Sequence, residues 1–178
     1  SLPASPNQYG PPRQRNTKYE GYAEAILKSQ GVIEFEMDGT IITSNDNFLD
    51  VMGYTLDEVQ GKHHSIFADD QARQSPEYKE FWATLNRGEY VAAEFKRLGK
   101  GGKEVWLQAS YNPILDFDGK PRKVVKFATD VTDRVRLQQA ADIQHSNTKE
   151  LIQRVIESAD QFAEGSRVVG ESSSNLSD

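Results

Sequence analysis

The chain has no cysteine, only three histidines among its 178 residues, and no long run of apolar residues. Without cysteine there can be no disulfide, thiolate zinc site, c-type haem attachment or cysteinyl adduct. No apolar run approaches the roughly 18–20 residues needed to cross a bilayer, and the N-terminus shows no signal-peptide pattern, so the sequence reads as a soluble, cytoplasmic piece whose parent could still be membrane-anchored. Positive charge is also short: 21 Lys and Arg stand against 27 Asp and Glu, a net charge of −6. Phosphate backbones need clustered basic residues, so a nucleic-acid partner is not expected. The length suits one domain with appendages.

The appendages come first. Residues 1–15, with Pro3, Pro6, Gly10, Pro11 and Pro12, read as a disordered arm. Thr17 and Glu20 have capping-box spacing and open a helix over 16–30, with Tyr19, Tyr22, Ala23, Ile26 and Leu27 on one face. That face could dock on the domain or on a second subunit.

The block 31–132 follows. Val32–Glu36 and Thr40–Thr43 read as strands around an Asp38-Gly39 turn. Asn45 or Asp46 caps a short helix carrying Phe48, Leu49 and Met52, and Thr55 with Glu58 opens another. Gly61–Asp70, containing His63 and His64, reads as a polar loop. Ser75-Pro76-Glu77 starts the stronger helix, with Tyr78, Phe81, Trp82 and Leu85 on its apolar face and Gly88 as its stop. Three strands remain: Glu89–Leu98, Lys103–Leu115 and Lys123–Thr129. The turn glycines Gly99, Gly101, Gly102 and Gly119 lie between them. Lys96, Arg97, Lys100 and Lys103 mark a basic hairpin tip. The element order favours an α+β fold, a five-stranded antiparallel sheet with helices on one face and a hollow beneath the longest of them.

Past Asp130 the pattern changes to a helix over 133–164. Positions 137, 141, 144, 148, 151, 155, 158 and 162 form a seam, apolar at Leu137, Ala141, Leu151, Val155 and Phe162 and polar at Gln144 and Thr148. A helix of ~30 residues extends ~45 Å, beyond a small domain, which points to self-association as a coiled-coil homodimer. Residues 165–178 are rich in Ser and Gly and read as a flexible start to a further region.

The strand–helix order and the closing Asp130-Val131-Thr132 resemble a PAS domain, in which an Asp-x-Thr step joins the last strand to an output helix. Val32-Ile33-Glu34-Phe35, Gly53-Tyr54-Thr55, Gly61-Lys62-His63-His64, Phe81-Trp82, Lys100 to Trp106 and Tyr111-Asn112-Pro113-Ile114 look like PAS modules of bacterial methyl-accepting chemotaxis proteins. The resemblance implies sensory input, dimerisation, and control of a chemotaxis histidine kinase and its coupling protein through an output region beyond this chain. Asp130 and Thr132 are then the signal relay.

Some members of that group bind FAD and others haem, so the cofactor stays unknown from the sequence. In the flavin-binding group a His in the short-helix region and a Trp on the long helix line the pocket; His64 and Trp82 fall at those places, and Arg97 stands where that group carries Asn. A haem ligand would have to come from His63 or His64. The candidate pocket is therefore His63, His64, Trp82 and Arg97, with ordinary core and loop roles as the alternative for each. A sensor kinase would place a phosphoacceptor His on the following helix, but His145-Ser146-Asn147-Thr148 lacks the acid, Arg and Pro that usually follow one. With no phosphate-cradling loop, nucleophile–base set or metal-ligand spacing, the chain reads as a non-enzyme. A PAS module that only assembles dimers, or the input domain of a sensor kinase, are the alternatives.

Overall fold

The structure, a computed structural model, describes residues 12–174, with side chains from Thr17 to Glu171 and Ser172. Helix α1 (Pro12–Ser29) leads into β1 (Gly31–Glu36) and β2 (Ile41–Ser44). Three short helices follow, α2 (Asp46–Met52), α3 (Leu56–Val59) and α4 (Asp70–Gln74), with a 3-10 turn at His64–Phe67 before α4. Then come α5 (Pro76–Asn86), β3 (Val91–Leu98), β4 (Glu104–Leu115), β5 (Pro121–Asp130) and α6 (Thr132–Ser174). The strands form one antiparallel sheet in the order β2-β1-β5-β4-β3, so the last strand lies at the centre.

Local chemistry accounts for most boundaries. The Asn45 side chain accepts from the Phe48 amide and caps α2, and Gly53 ends that helix in the left-handed region. Glu58 reaches back to the Thr55 amide at 2.9 Å. Ser75 caps α5 through the Tyr78 amide, with Pro76 in its first turn. Asp116 accepts from the amides of Asp118 and Lys120, closing the β4–β5 hairpin. Asn45 and Asn47 also donate to the carbonyls of Leu27 and Lys28 in the last turn of α1 and of Gln30 just past it, which holds that helix end against α2.

One face of the sheet carries the core. Ile33, Phe35, Val105, Leu107, Ala109, Tyr111, Val124 and Ala128 pack against Phe48, Met52, Val59, Phe67 and Leu85. The described residues divide into two compact units, one ending at Thr132 and the other beginning at Asp133. No described helix is long and apolar enough to cross a membrane.

Several boundaries differ from the sequence reading. Helix α1 begins at Pro12, inside the expected arm, so Thr17 sits within the helix rather than at its start; the rest of the arm lies outside the described residues. Proline needs no amide partner in a first turn, which lets the helix begin there. Gly61–Asp70 is not a plain loop: it holds a helical turn with His64 and Phe67 fully buried, and α4 follows it. Helix α6 runs unbroken to Ser174, through Gly165 and Gly170, with residues 175–178 outside the described part. A lone helical glycine costs about 1 kcal/mol relative to Ala and does not end a long helix.

Candidate functional site

Adjacent histidines meet different fates beneath the sheet. His63 caps the 3-10 turn: its Nδ1 accepts from the Ser65 amide at 3.1 Å, so its Nε2–H donates to the Asp38 carbonyl at 2.9 Å. Gly39 makes this possible. Its φ is +91°, and a Cβ there would lie 2.4 Å from His63 Nε2 and 2.9 Å from Trp82 Cζ2. His63 thereby fastens the β1–β2 hairpin to the helical layer.

His64 points inward and is completely buried. Its Nδ1 bonds the Tyr78 hydroxyl at 2.8 Å and its Nε2 the Tyr111 hydroxyl at 3.0 Å. Rings surround it: Phe35, Phe67, Tyr78, Phe81, Trp82 and Tyr111 have centroids 5.3–6.2 Å from its own. Burial, with the charges of Arg97, Lys126 and His63 adding to it, holds its pKa well below the usual imidazole range.

Tyr111 is the hub of this cluster. Arg97 Nη2 donates to its hydroxyl at 3.3 Å, while the guanidinium lies 4.7 Å from the Phe95 ring centre. Lys126, opposite Tyr111 on the neighbouring strand, is fully buried, with Nζ 4.8 Å from the Tyr111 ring centre and 5.0 Å from that of Phe48. Burial lowers the Lys126 pKa. Burial alone would raise the Tyr111 hydroxyl, but the charges of Lys126 and Arg97 bring it below its ordinary value.

The expected site residues His63, His64, Trp82 and Arg97 thus come together. His63 and His64 lie 6.0 and 5.5 Å from Trp82, and Arg97 joins through Tyr111. Of the basic hairpin tip, Lys96 pairs with Glu104, Lys100 with Glu58, and Lys103 reaches the Val51 carbonyl; Arg97 alone turns inward. Lys126 escaped the sequence reading. On β5, Val125 and Phe127 look like the core face, yet the register opposite Ile33 and Phe35 turns Val124, Lys126 and Ala128 inward. Aligning β5 against β1 was the signal that could have found it.

A second constellation sits where the sheet hands over to α6. Asp130 Oδ1 accepts from the Thr132 amide at 2.9 Å and from its hydroxyl at 2.5 Å. Thr132 Oγ1 accepts from the Trp106 amide at 2.9 Å, and the Val131 amide donates to the Trp106 carbonyl at 2.9 Å. The joint is therefore fastened to β4 as well as to β5. Trp106, which the sequence reading placed only within a family-like motif, supplies that fastening with its backbone.

Neither haem nor a flavin fits these residues as they are held. An axial haem ligand needs a free imidazole nitrogen, and both nitrogens of each pocket histidine are engaged. A flavin needs an open face on Trp82, whose ring is met by Phe35, His63, His64 and Phe81. Among the described residues no group of His, Asp and Glu could hold a metal ion.

Several known proteins are similar to this chain in sequence or fold. Residues 41–128 match the PAS-fold family. The chain is 49% identical over 123 residues to the biofilm dispersion protein BdlA of Pseudomonas aeruginosa, covering 68% of this chain and 30% of that protein. It is 30% identical over 98 residues to the aerotaxis receptor of Escherichia coli, covering 55% of this chain and 19% of the receptor. It therefore spans less than a third of either relative. Among solved structures, a light-oxygen-voltage domain superposes with a TM-score of 0.56 at 18% identity, covering 74% of this chain and 98% of that one. A PAS domain from Colwellia psychrerythraea also gives 0.56 at 18% identity, covering 65% and 98%. At such identity these two structures speak to the fold.

Proposed function

The chain belongs to the PAS family through its five-stranded domain, and from that premise we propose that it is the sensory input module of a chemotaxis-type signal transducer. Its relatives BdlA and the aerotaxis receptor support a sensory role. The observation that carries the mechanism is the fastening of Asp130-Val131-Thr132 to Trp106. A change in the ring cluster bears first on Tyr111 and Lys126, which face each other across β4 and β5. The same two strands carry Trp106 and Asp130, so a small slide between them alters the hydrogen bonds at the first residue of α6. Coupling of about 1–3 kcal/mol is enough to bias a two-state helix.

In this reading the domain performs no chemistry of its own. It works in the cytoplasm as a homodimer and acts on a histidine kinase and coupling protein through an output region beyond residue 178. The test is Asp130→Ala in the full-length transducer. The variant keeps the fold, losing about 1 kcal/mol with the hydrogen bonds Asp130 accepts from Thr132, while kinase output stops responding to stimulus. A normal response from a folded variant would remove the joint from the mechanism.

One observation favours a second reading, a dimerisation module with no small-molecule ligand. Large apolar residues of α6, among them Leu137, Leu151, Val155 and Phe162, are exposed, as are Tyr19, Tyr22, Ile26 and Leu27 of α1. Sedimentation of the chain with and without residues 133–178 separates the contributions of the two helices.

A further inference from the structure

We propose that the Lys126–Tyr111 pair is a proton-sensing site, joined to solvent by a relay through His64 and Tyr78. The inference names a stimulus for the sensory reading above and rests on it. The polar atoms concerned lie in one line. Lys126 of β5 and Arg97 of β3 both bear on the Tyr111 hydroxyl of β4, Arg97 Nη2 at 3.3 Å. That hydroxyl is 3.0 Å from His64 Nε2, and His64 Nδ1 is 2.8 Å from the Tyr78 hydroxyl. The Trp82 indole also bears on the Tyr78 oxygen. Lys126, Tyr111 and His64 are fully buried, whereas Tyr78 is half-buried and forms the outer end of the line.

Donor counting fixes the direction of every bond. A hydroxyl has one proton to give and two lone pairs, while a neutral imidazole has one donor and one acceptor. With Lys126 charged, it and Arg97 occupy both lone pairs of Tyr111, so the Tyr111 proton goes to His64 Nε2. His64 then holds its own proton on Nδ1 and gives it to Tyr78. Tyr78, receiving from His64 and Trp82, turns its proton outward. Loss of one proton from the pair reverses the line. Tyr111 passes its proton to His64 Nε2, refilling from Lys126 or remaining ionised. His64 passes the Nδ1 proton to Tyr78, and Tyr78 releases its outward proton to water. One proton leaves the pair and one reaches solvent. His64 is neutral before and after, with its proton on the other nitrogen.

The surroundings make the pair ready to give up that proton. Burial opposes the Lys126 ammonium and Arg97 adds a like charge, against the pull of Tyr111. Burial alone would raise the Tyr111 hydroxyl, yet Lys126 and Arg97 bring it down. The charged or titratable groups facing the pair are Arg97 from β3, His64 with His63 behind it from the 3-10 turn, and Tyr78 of α5 through His64. Opposite Lys126, β1 places Ile33, and α2 places the Phe48 ring 5.0 Å away. Among the described residues none of the buried ones is Asp or Glu, so no carboxylate holds the charge in place. Two groups so close share one titration. When it occurs, a unit of positive charge disappears between β4 and β5, the strands that carry Trp106 and Asp130.

His64 itself supplies the test, because its two neutral forms differ in which nitrogen carries the proton. The whole chain, labelled with nitrogen-15 on histidine, is followed by NMR from pH ~6 to pH ~10.5. The His64 signals are those missing from His64→Gln. His63, whose Nε2–H is held by the Asp38 carbonyl, keeps that proton throughout and serves as the internal reference. The expected result is a neutral His64 protonated on Nδ1 at the acid end and on Nε2 at the alkaline end, with a midpoint below the ordinary lysine value. Arg97→Gln should move the midpoint upward, since a cation opposing the protonated pair is gone. Lys126→Met should abolish the switch within this range. Arg97, half-buried, keeps the test open should Lys126→Met repack the core. The proposal is overturned if His64 keeps one tautomer or switches in the reverse order, if the fold is lost before any switch, or if both variants switch at the parent's midpoint. Signal output is not read here. A failure therefore leaves the Asp130 joint to the kinase assay, and a switch beside an unresponsive kinase would remove the sensory reading instead.

Discussion

The joint at Asp130–Thr132 and the ring cluster around His64 both bring polar groups together, with opposite results. At the joint each donor finds an acceptor within the chain: the Thr132 amide and hydroxyl on Asp130, the Trp106 amide on Thr132, the Val131 amide on Trp106. In the cluster, Lys126 Nζ, Arg97 Nε and Trp82 Nε1 make no hydrogen bond of ordinary geometry, and Lys126 lies against the rings of Tyr111 and Phe48. A closed set of bonds transmits a displacement because no member can move alone. An open set leaves free energy to be gained when an acceptor arrives. In the proposed mechanism the open set would receive and the closed set would relay.

The largest effect should come from removing the hub. Tyr111→Ala should lose about 3–5 kcal/mol of stability in urea denaturation, because a fully buried ring on which Phe81, Phe95 and His64 pack is replaced by a void. Lys126→Met should act in the opposite direction and stabilise the domain by about 1–4 kcal/mol, since an apolar chain of similar length replaces a buried amine whose charged form burial disfavours. A loss of stability in that variant would mean the ammonium is better compensated than its surroundings indicate.

Thr132→Val probes the closed set. It keeps the side-chain shape but leaves the Trp106 amide without its acceptor, at a cost of about 1–3 kcal/mol. That should exceed the cost of Asp130→Ala, because Thr132 is buried and Asp130 exposed.

The smallest effect is one of pH. Burial keeps His64 neutral in the fold, with Arg97, Lys126 and His63 opposing its protonation from β3, β5 and the neighbouring position. Below the unfolded value of about 6.5 the unfolded chain takes up a proton that the fold refuses, so stability declines as the medium becomes more acidic. His64→Gln should remove part of the decline between neutral pH and pH ~5, measured as urea midpoints at several pH values. An unchanged profile would assign the acid sensitivity to other groups.

Much of the domain was legible from particular residues. Asp38-Gly39, Gly101-Gly102 and Asp118-Gly119 sit at turns where their glycines have positive φ. Asn45, Thr55 and Ser75 open the helices their side chains suggested. These features are local: a cap or a turn is decided within four or five residues, so its chemistry can be read from the neighbours alone. His64 and Trp82 were also legible as partners, through resemblance to a family. Arg97 was readable both as a pocket residue and as part of a basic tip, and only its contact with Tyr111 distinguishes the two.

What the amino-acid order determined by itself was the α+β class, the succession of strands and helices, and the position of the Asp-x-Thr step, because each depends on short-range preferences and hydrophobic periodicity. Tertiary structure alone decided that Lys126 faces inward, that the two neighbouring histidines part company, and that Trp106 anchors the joint. Those outcomes depend on register. A shift of one residue in a strand exchanges its two faces, and the register of β5 is set by β1 and β4, which are distant from it in sequence or pair with it only once the sheet has formed.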